Sequence, residues 1–137
     1  MKRRGALLLL AACGACTAPP ATVPPDLGRR MSPTLASIER EVFAPLCARP
    51  ACHGGPAPES LLSLEPGRAY GNLVGVPSQQ ISELMRVEPG RSDRSYLVRK
   101  LLDDRIVGER MPTQGGRLPP EAIEVIRRWI DAGAPER

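Results

Sequence analysis

Residues 47–53 read Cys47-Ala48-Arg49-Pro50-Ala51-Cys52-His53, and this stretch decides how the rest of the chain is read. It places two thiols ahead of the only histidine in 137 residues. Three chemistries compete for such a group. A structural zinc needs four nitrogen or sulfur ligands, and the domain offers two cysteines and one histidine. A disulfide can close over a loop of this length, with less chain-entropy stabilisation than a long loop provides. The third is covalent haem attachment: a Cys-His dipeptide with an upstream Cys is the attachment signal for haem c. Two thiols add across the two haem vinyls as thioethers, and the neighbouring imidazole reaches the iron. The usual spacer between the cysteines has two residues. Here it runs from Ala48 to Ala51, and a longer spacer can bulge outward while both sulfurs keep their places.

Working back toward the start, Lys2, Arg3 and Arg4 precede the short apolar run 5–12 (GALLLLAA). That run is too short to span a bilayer, which takes about 20 apolar residues. It ends in Leu10-Ala11-Ala12-Cys13, which looks like a bacterial lipobox, with residues 1–12 as signal peptide and Cys13 lipidated. The competing reading is an ordinary signal peptide cut nearby. Gly14 after the cysteine, rather than Asp, points to sorting to the outer membrane. The expected location is therefore the cell envelope, facing the periplasm. Outside the cytoplasm, cysteines are either oxidised or committed to a cofactor. Cys16 has no assigned role.

Processing changes the charge argument. The chain carries 19 basic and 15 acidic residues, a formal +4. Removing residues 1–12 takes one Lys and two Arg but no acid, so 16 basic residues face 15 acids and the charge falls to +1. The remaining arginines are scattered, and no aromatics interleave with them as a stacking platform for nucleic acid would need. They read as solvated surface, and no nucleic-acid partner is expected.

Residues 13–32 hold two Pro-Pro pairs and read as a lipidated tether. The domain is expected over 33–137. Ser32-Pro33 is a helix start, with Leu35, Ile38 and Val42 on one face, Phe43 beside it and Pro45 as the stop. A short helix is expected near 68–74 and a further turn or two over 78–87, with Ile81, Leu84 and Met85 on one side. Ser92 caps a helix from Asp93 to Leu102, with Leu97, Val98, Leu101 and Leu102 inward. A loop over 103–119 leads to the last helix, opened by Pro120, carrying Ile123, Ile126, Trp129 and Ile130, and stopped by Gly133 and Pro135. The expectation is an all-α domain with three main helices and long loops, as 16 Pro and 13 Gly suggest. Aromatics are 3% of the chain, namely Phe43, Tyr70, Tyr96 and Trp129. So thin a core would gain from a bulky apolar ligand at its centre.

A haem held by His53 needs a second axial ligand or an open site. With one histidine, that ligand cannot be another imidazole. Met1 leaves with the leader, Met31 lies in the tether, and Met85 reads as core. Met111, in the Pro- and Gly-rich loop before the last helix, suits the sixth position, with a buried core methionine as the competing reading.

Taken together, these residues resemble a class I c-type cytochrome domain, and are especially similar to the small exported cytochrome-like lipoproteins of planctomycetes and myxobacteria. The resemblance spans about 43 to 134. It rests on Phe43, Cys47 and Cys52-His53-Gly54-Gly55, then Val87-Glu88-Pro89-Gly90 and the run from Ser95 to Leu101. Arg110-Met111-Pro112, Leu118 and Ile126…Trp129-Ile130…Gly133-Ala134 complete it. The four-residue spacer departs from the family pattern. The resemblance implies a fold in which first and last helices cross, one covalent haem c on Cys47 and Cys52, and axial ligation by His53 and Met111. It implies an electron carrier between envelope redox proteins, with no substrate turnover. The chain shows no general base, nucleophile triad or phosphate loop. The alternative is a non-redox envelope lipoprotein with a Cys47–Cys52 disulfide and no haem.

Overall fold

A computed structural model of the chain describes residues 21–137. The expected leader 1–12, the expected lipidation site Cys13, Cys16 and the start of the expected tether lie outside the described residues. The architecture is all-α: helices α1 (Leu27–Arg30), α2 (Leu35–Ile38), α3 (Ala69–Leu73), α4 (Tyr96–Leu102) and α5 (Pro120–Asp131), with 3₁₀ turns at Glu59–Leu61 and Ser92–Arg94. Only isolated β-bridges occur among the described residues. None of the helices there is long and apolar enough to cross a membrane.

The helix expected from residue 33 starts later and ends later. Thr34 is its N-cap, its Oγ1 accepting from the Ser37 amide at 3.3 Å. Beyond Ile38 the chain continues as a π-helical segment, Glu39–Cys47, and Pro45 lies inside it rather than ending it. Proline has no N–H to donate and its ring crowds the preceding turn of an α-helix. A widened turn relieves the crowding. The Ala48 amide then donates to the Phe43 carbonyl, five residues back, at 2.7 Å.

Residues 21–32 do not behave as a free tether. Leu27 is fully buried and Met31 nearly so, both in the main core. α1 lies against α5, and Gly28 permits the approach: a Cβ there would come within 2.6 Å of the Glu121 Cβ and 2.7 Å of the Ala122 nitrogen. The packed body therefore starts ahead of residue 33, and the N-terminal element seated on α5 is α1.

Residues 78–87 form no helix. The Ser78 hydroxyl accepts from the amides of Gln80 and Ile81, both at 3.2 Å, and so offers the backbone a local alternative to helix. The segment instead doubles back on 73–78, with Ser78 N–H donating to Leu84 O at 2.8 Å and Arg86 N–H to Val76 O at 2.7 Å. This turns Met85 outward, 37% exposed, so it is not core. The expected helix 93–102 splits into the Ser92–Arg94 turn and α4. Ser92 bonds Asp131 instead of capping, and Leu102 faces solvent while Val98 and Leu101 are buried. α5 matches its expected bounds, with Ile123, Ile126, Trp129 and Ile130 all buried.

Candidate functional site

The π-helical segment ends by carrying Phe43, Leu46 and Cys47 to the rim of a cavity of about 360 Å³. From Cys47 the chain curls through a tight turn. Ala51 adopts a left-handed conformation at φ 62°. The Arg49 carbonyl accepts from the amides of Cys52 at 3.0 Å and Gly54 at 3.2 Å. The His53 amide closes the turn on the Cys47 carbonyl at 3.0 Å. Pro50 and Ala51 are exposed, and Arg49 and Ala51 of the four-residue spacer join Cys47, Cys52 and His53 on the lining of the same cavity. Gly54 lets the turn close, because a Cβ there would strike the Ala48 carbonyl oxygen.

Both cysteines are free thiols. Burial pushes Cys47 up to about 12, and the neighbouring Cys52 adds to this. His53 is half-buried, and its Nδ1 is buried without a hydrogen-bond partner among the described residues. Burial holds the imidazole below its ordinary pKa. The carbonyls of Glu59 and Leu62 oppose this, and the Arg86 guanidinium reinforces it. The neutral form with a free lone pair is thus favoured, the state a metal ligand requires.

Met111 is half-buried and lies on the lining of the same cavity, between its neighbours Arg110 and Pro112. Val42, Phe43, Leu46, Leu64, Leu73 and Leu101 supply apolar wall. The four residues expected at the site from sequence, Cys47, Cys52, His53 and Met111, are therefore brought together from both sides of a 57-residue gap in which no other histidine occurs. No cluster of three or more His, Cys, Asp or Glu side chains that could hold a metal ion is present among the described residues.

Sequence reasoning overlooked the polar part of the lining. Arg86 and Lys100 are each only 8% exposed and both reach the cavity. Arg86 donates to the carbonyls of Asn72 at 2.9 Å and Ser60 at 2.7 Å. Lys100 donates to the carbonyls of Val107 and Glu109. The Tyr96 hydroxyl donates to Gln80 Oε1 at 2.9 Å. The available signal was helical spacing: Lys100 falls four residues after Tyr96 and three after Leu97, on the inward stripe of α4.

Comparison of the chain with protein-family models, with curated proteins and with solved structures yields no match.

Proposed function

We propose that the chain is a mono-haem c-type cytochrome of class I architecture, an electron carrier rather than an enzyme. In this reading it is exported, anchored by lipid on Cys13, and passes single electrons between redox proteins of the cell envelope. The observation that carries the reading is the convergence of two free thiols, the sole imidazole and one thioether on a single cavity with apolar walls. The donor set suits the group: Cys47 and Cys52 would hold it covalently, and His53 and Met111 would ligate its iron. His53 is favoured as the neutral imidazole and carries a buried nitrogen without a partner. When bound, haem c supplies reversible one-electron exchange, and Met/His ligation would raise its potential. The chain's own contribution is to exclude water through Phe43, Leu46, Leu64 and Leu101 and to fix the two ligands.

The test is expression of the full chain, with its own leader, in a host competent in c-type haem maturation. The expected product retains one haem after denaturation, seen as added polypeptide mass and as peroxidase stain. A purified protein without covalent haem, with Cys47 and Cys52 joined in one peptide, overturns the reading in favour of a haem-free envelope module.

A further inference from the structure

Asp103 ends α4 in a left-handed conformation, φ 67°, and the chain has no regular element from there until α5 at Pro120. Met111 sits in the middle of this stretch, where position has to come from bonds to something rigid. α4 supplies them. The Lys100 ammonium, 8% exposed, donates to the Val107 carbonyl at 2.9 Å and to the Glu109 carbonyl at 2.6 Å. The Lys100 carbonyl accepts from the Met111 amide at 2.9 Å. One turn earlier, the Tyr96 hydroxyl accepts from the Val107 amide at 3.0 Å. The ammonium also lies 5.9 Å from the Tyr96 ring centroid, close enough for a cation–π attraction.

These bonds form a clamp at both ends of residues 107–111. A lysine suits the task because its three donors and flexible stem can engage two carbonyls that point at different angles. Its burial against backbone carbonyls rather than a carboxylate is unusual for a lysine, which is seldom buried unless paired. The cost of holding that charge is offset only while the loop supplies its carbonyls.

We propose that Lys100 is the positioning residue for Met111: by clamping residues 107–109 with its ammonium and Met111 with its carbonyl, it holds the thioether on the cavity wall. This rests on the ligand role proposed above for Met111.

The variant is Lys100→Met, which keeps the length and apolar stem and removes the charge. The partners it leaves unpaired are the Val107 and Glu109 carbonyls, so the cost falls on the loop. The first measurement is amide hydrogen exchange on the full chain made without haem. The Val107 and Met111 amides should exchange about tenfold faster or more, while those of α5 stay unchanged, because the opening is local. Tyr96→Phe, which removes the acceptor for the Val107 amide along with the hydroxyl's bond to Gln80 Oε1, should speed exchange at residue 107 in the same way. Unchanged exchange at both amides in both variants, or equal acceleration throughout α5, overturns the clamp. The second measurement uses the haem-loaded chain: Lys100→Met should weaken the Met–Fe(III) charge-transfer band and lower the potential with covalent haem retained. An unaltered band and potential overturn the positioning role. A wild-type chain without haem overturns the cytochrome reading and this role with it, and the exchange result then still decides whether Lys100 holds the loop.

Discussion

Ser92 and Asp131 meet across 39 residues of sequence: the Ser92 amide and hydroxyl donate to the two carboxylate oxygens of Asp131, each at 2.9 Å. The pair ties the turn that precedes α4 to the last residue of α5. Bonds to an ionised acceptor contribute about 1.5–3 kcal/mol, and the Ser92 side left behind is buried. Asp131→Ala should therefore destabilise the fold by about 1–3 kcal/mol in urea unfolding. Glu124→Ala, an exposed change on the same helix, should stay within about 0.5 kcal/mol of the parent. Equal effects from the two variants would remove the pair from any account of stability.

The docking of α1 on α5 leads to a paired glycine experiment. A methyl group on Gly28 would lie 2.6 Å from the Glu121 Cβ and 2.7 Å from the Ala122 nitrogen, and the backbone on that side cannot yield cheaply. Gly28→Ala should cost about 1–3 kcal/mol, as overpacking does. Gly71, inside α3, has open space around it. Gly71→Ala should instead stabilise by about 0.5–1 kcal/mol, since alanine loses less backbone freedom in a helix. A neutral Gly28→Ala would mean that α1 does not rest on α5 in solution.

The parts of the fold legible in the sequence were those governed by local rules. Pro120, the isoleucine spacing and Gly133 delimit α5 without reference to the rest of the chain. The 47–53 motif and the Pro-flanked loop pointed to Cys47, Cys52, His53 and Met111, which line one cavity. What could not be read were outcomes of competition. Pro45 usually stops an α-helix, and only the switch to π-helical spacing lets the chain pass it. Ser78 draws two amides to its own hydroxyl and cancels the helical pattern of Ile81, Leu84 and Met85. Leu27 looks like a lone apolar residue in a Pro-rich stretch until Gly28 brings it against α5. Lys100 reads as a solvated charge until the loop that returns to it supplies carbonyls.

Cys47 offers a pH test on the haem-free chain. Burial, with Cys52 adding, pushes its thiol from 9.0 up to about 12, so at pH 8 its thiolate fraction is roughly a thousandfold below that of an ordinary cysteine. The thiolate is the reactive form, so alkylation of the Cys47 peptide should be slow in the folded chain and fast after unfolding. A raised pKa also moves the titration upward. The rate should keep climbing by about tenfold per pH unit through pH 10, where an ordinary thiol has already levelled off. Peptide mapping after timed iodoacetamide labelling reads both. A plateau near pH 9 would show Cys47 open to solvent and remove it from the cavity wall.

Met111 separates the cytochrome reading into its two halves. It shares the cavity with His53, and in that reading takes no part in covalent attachment, which would fall to Cys47 and Cys52. In the haem-loaded chain, Met111→Ala should thus leave the haem bound through denaturation. The weak Met–Fe(III) charge-transfer band should vanish, and the potential should fall, because a thioether opposite His favours the reduced iron more than the ligands that would replace it. Cys47→Ala should do the reverse, lowering the yield of covalent haem. If Met111→Ala retains both the band and the potential, the sixth ligand is not Met111. Met31, buried in the core, and the exposed Met85 are then the remaining thioethers among the described residues to be substituted in turn.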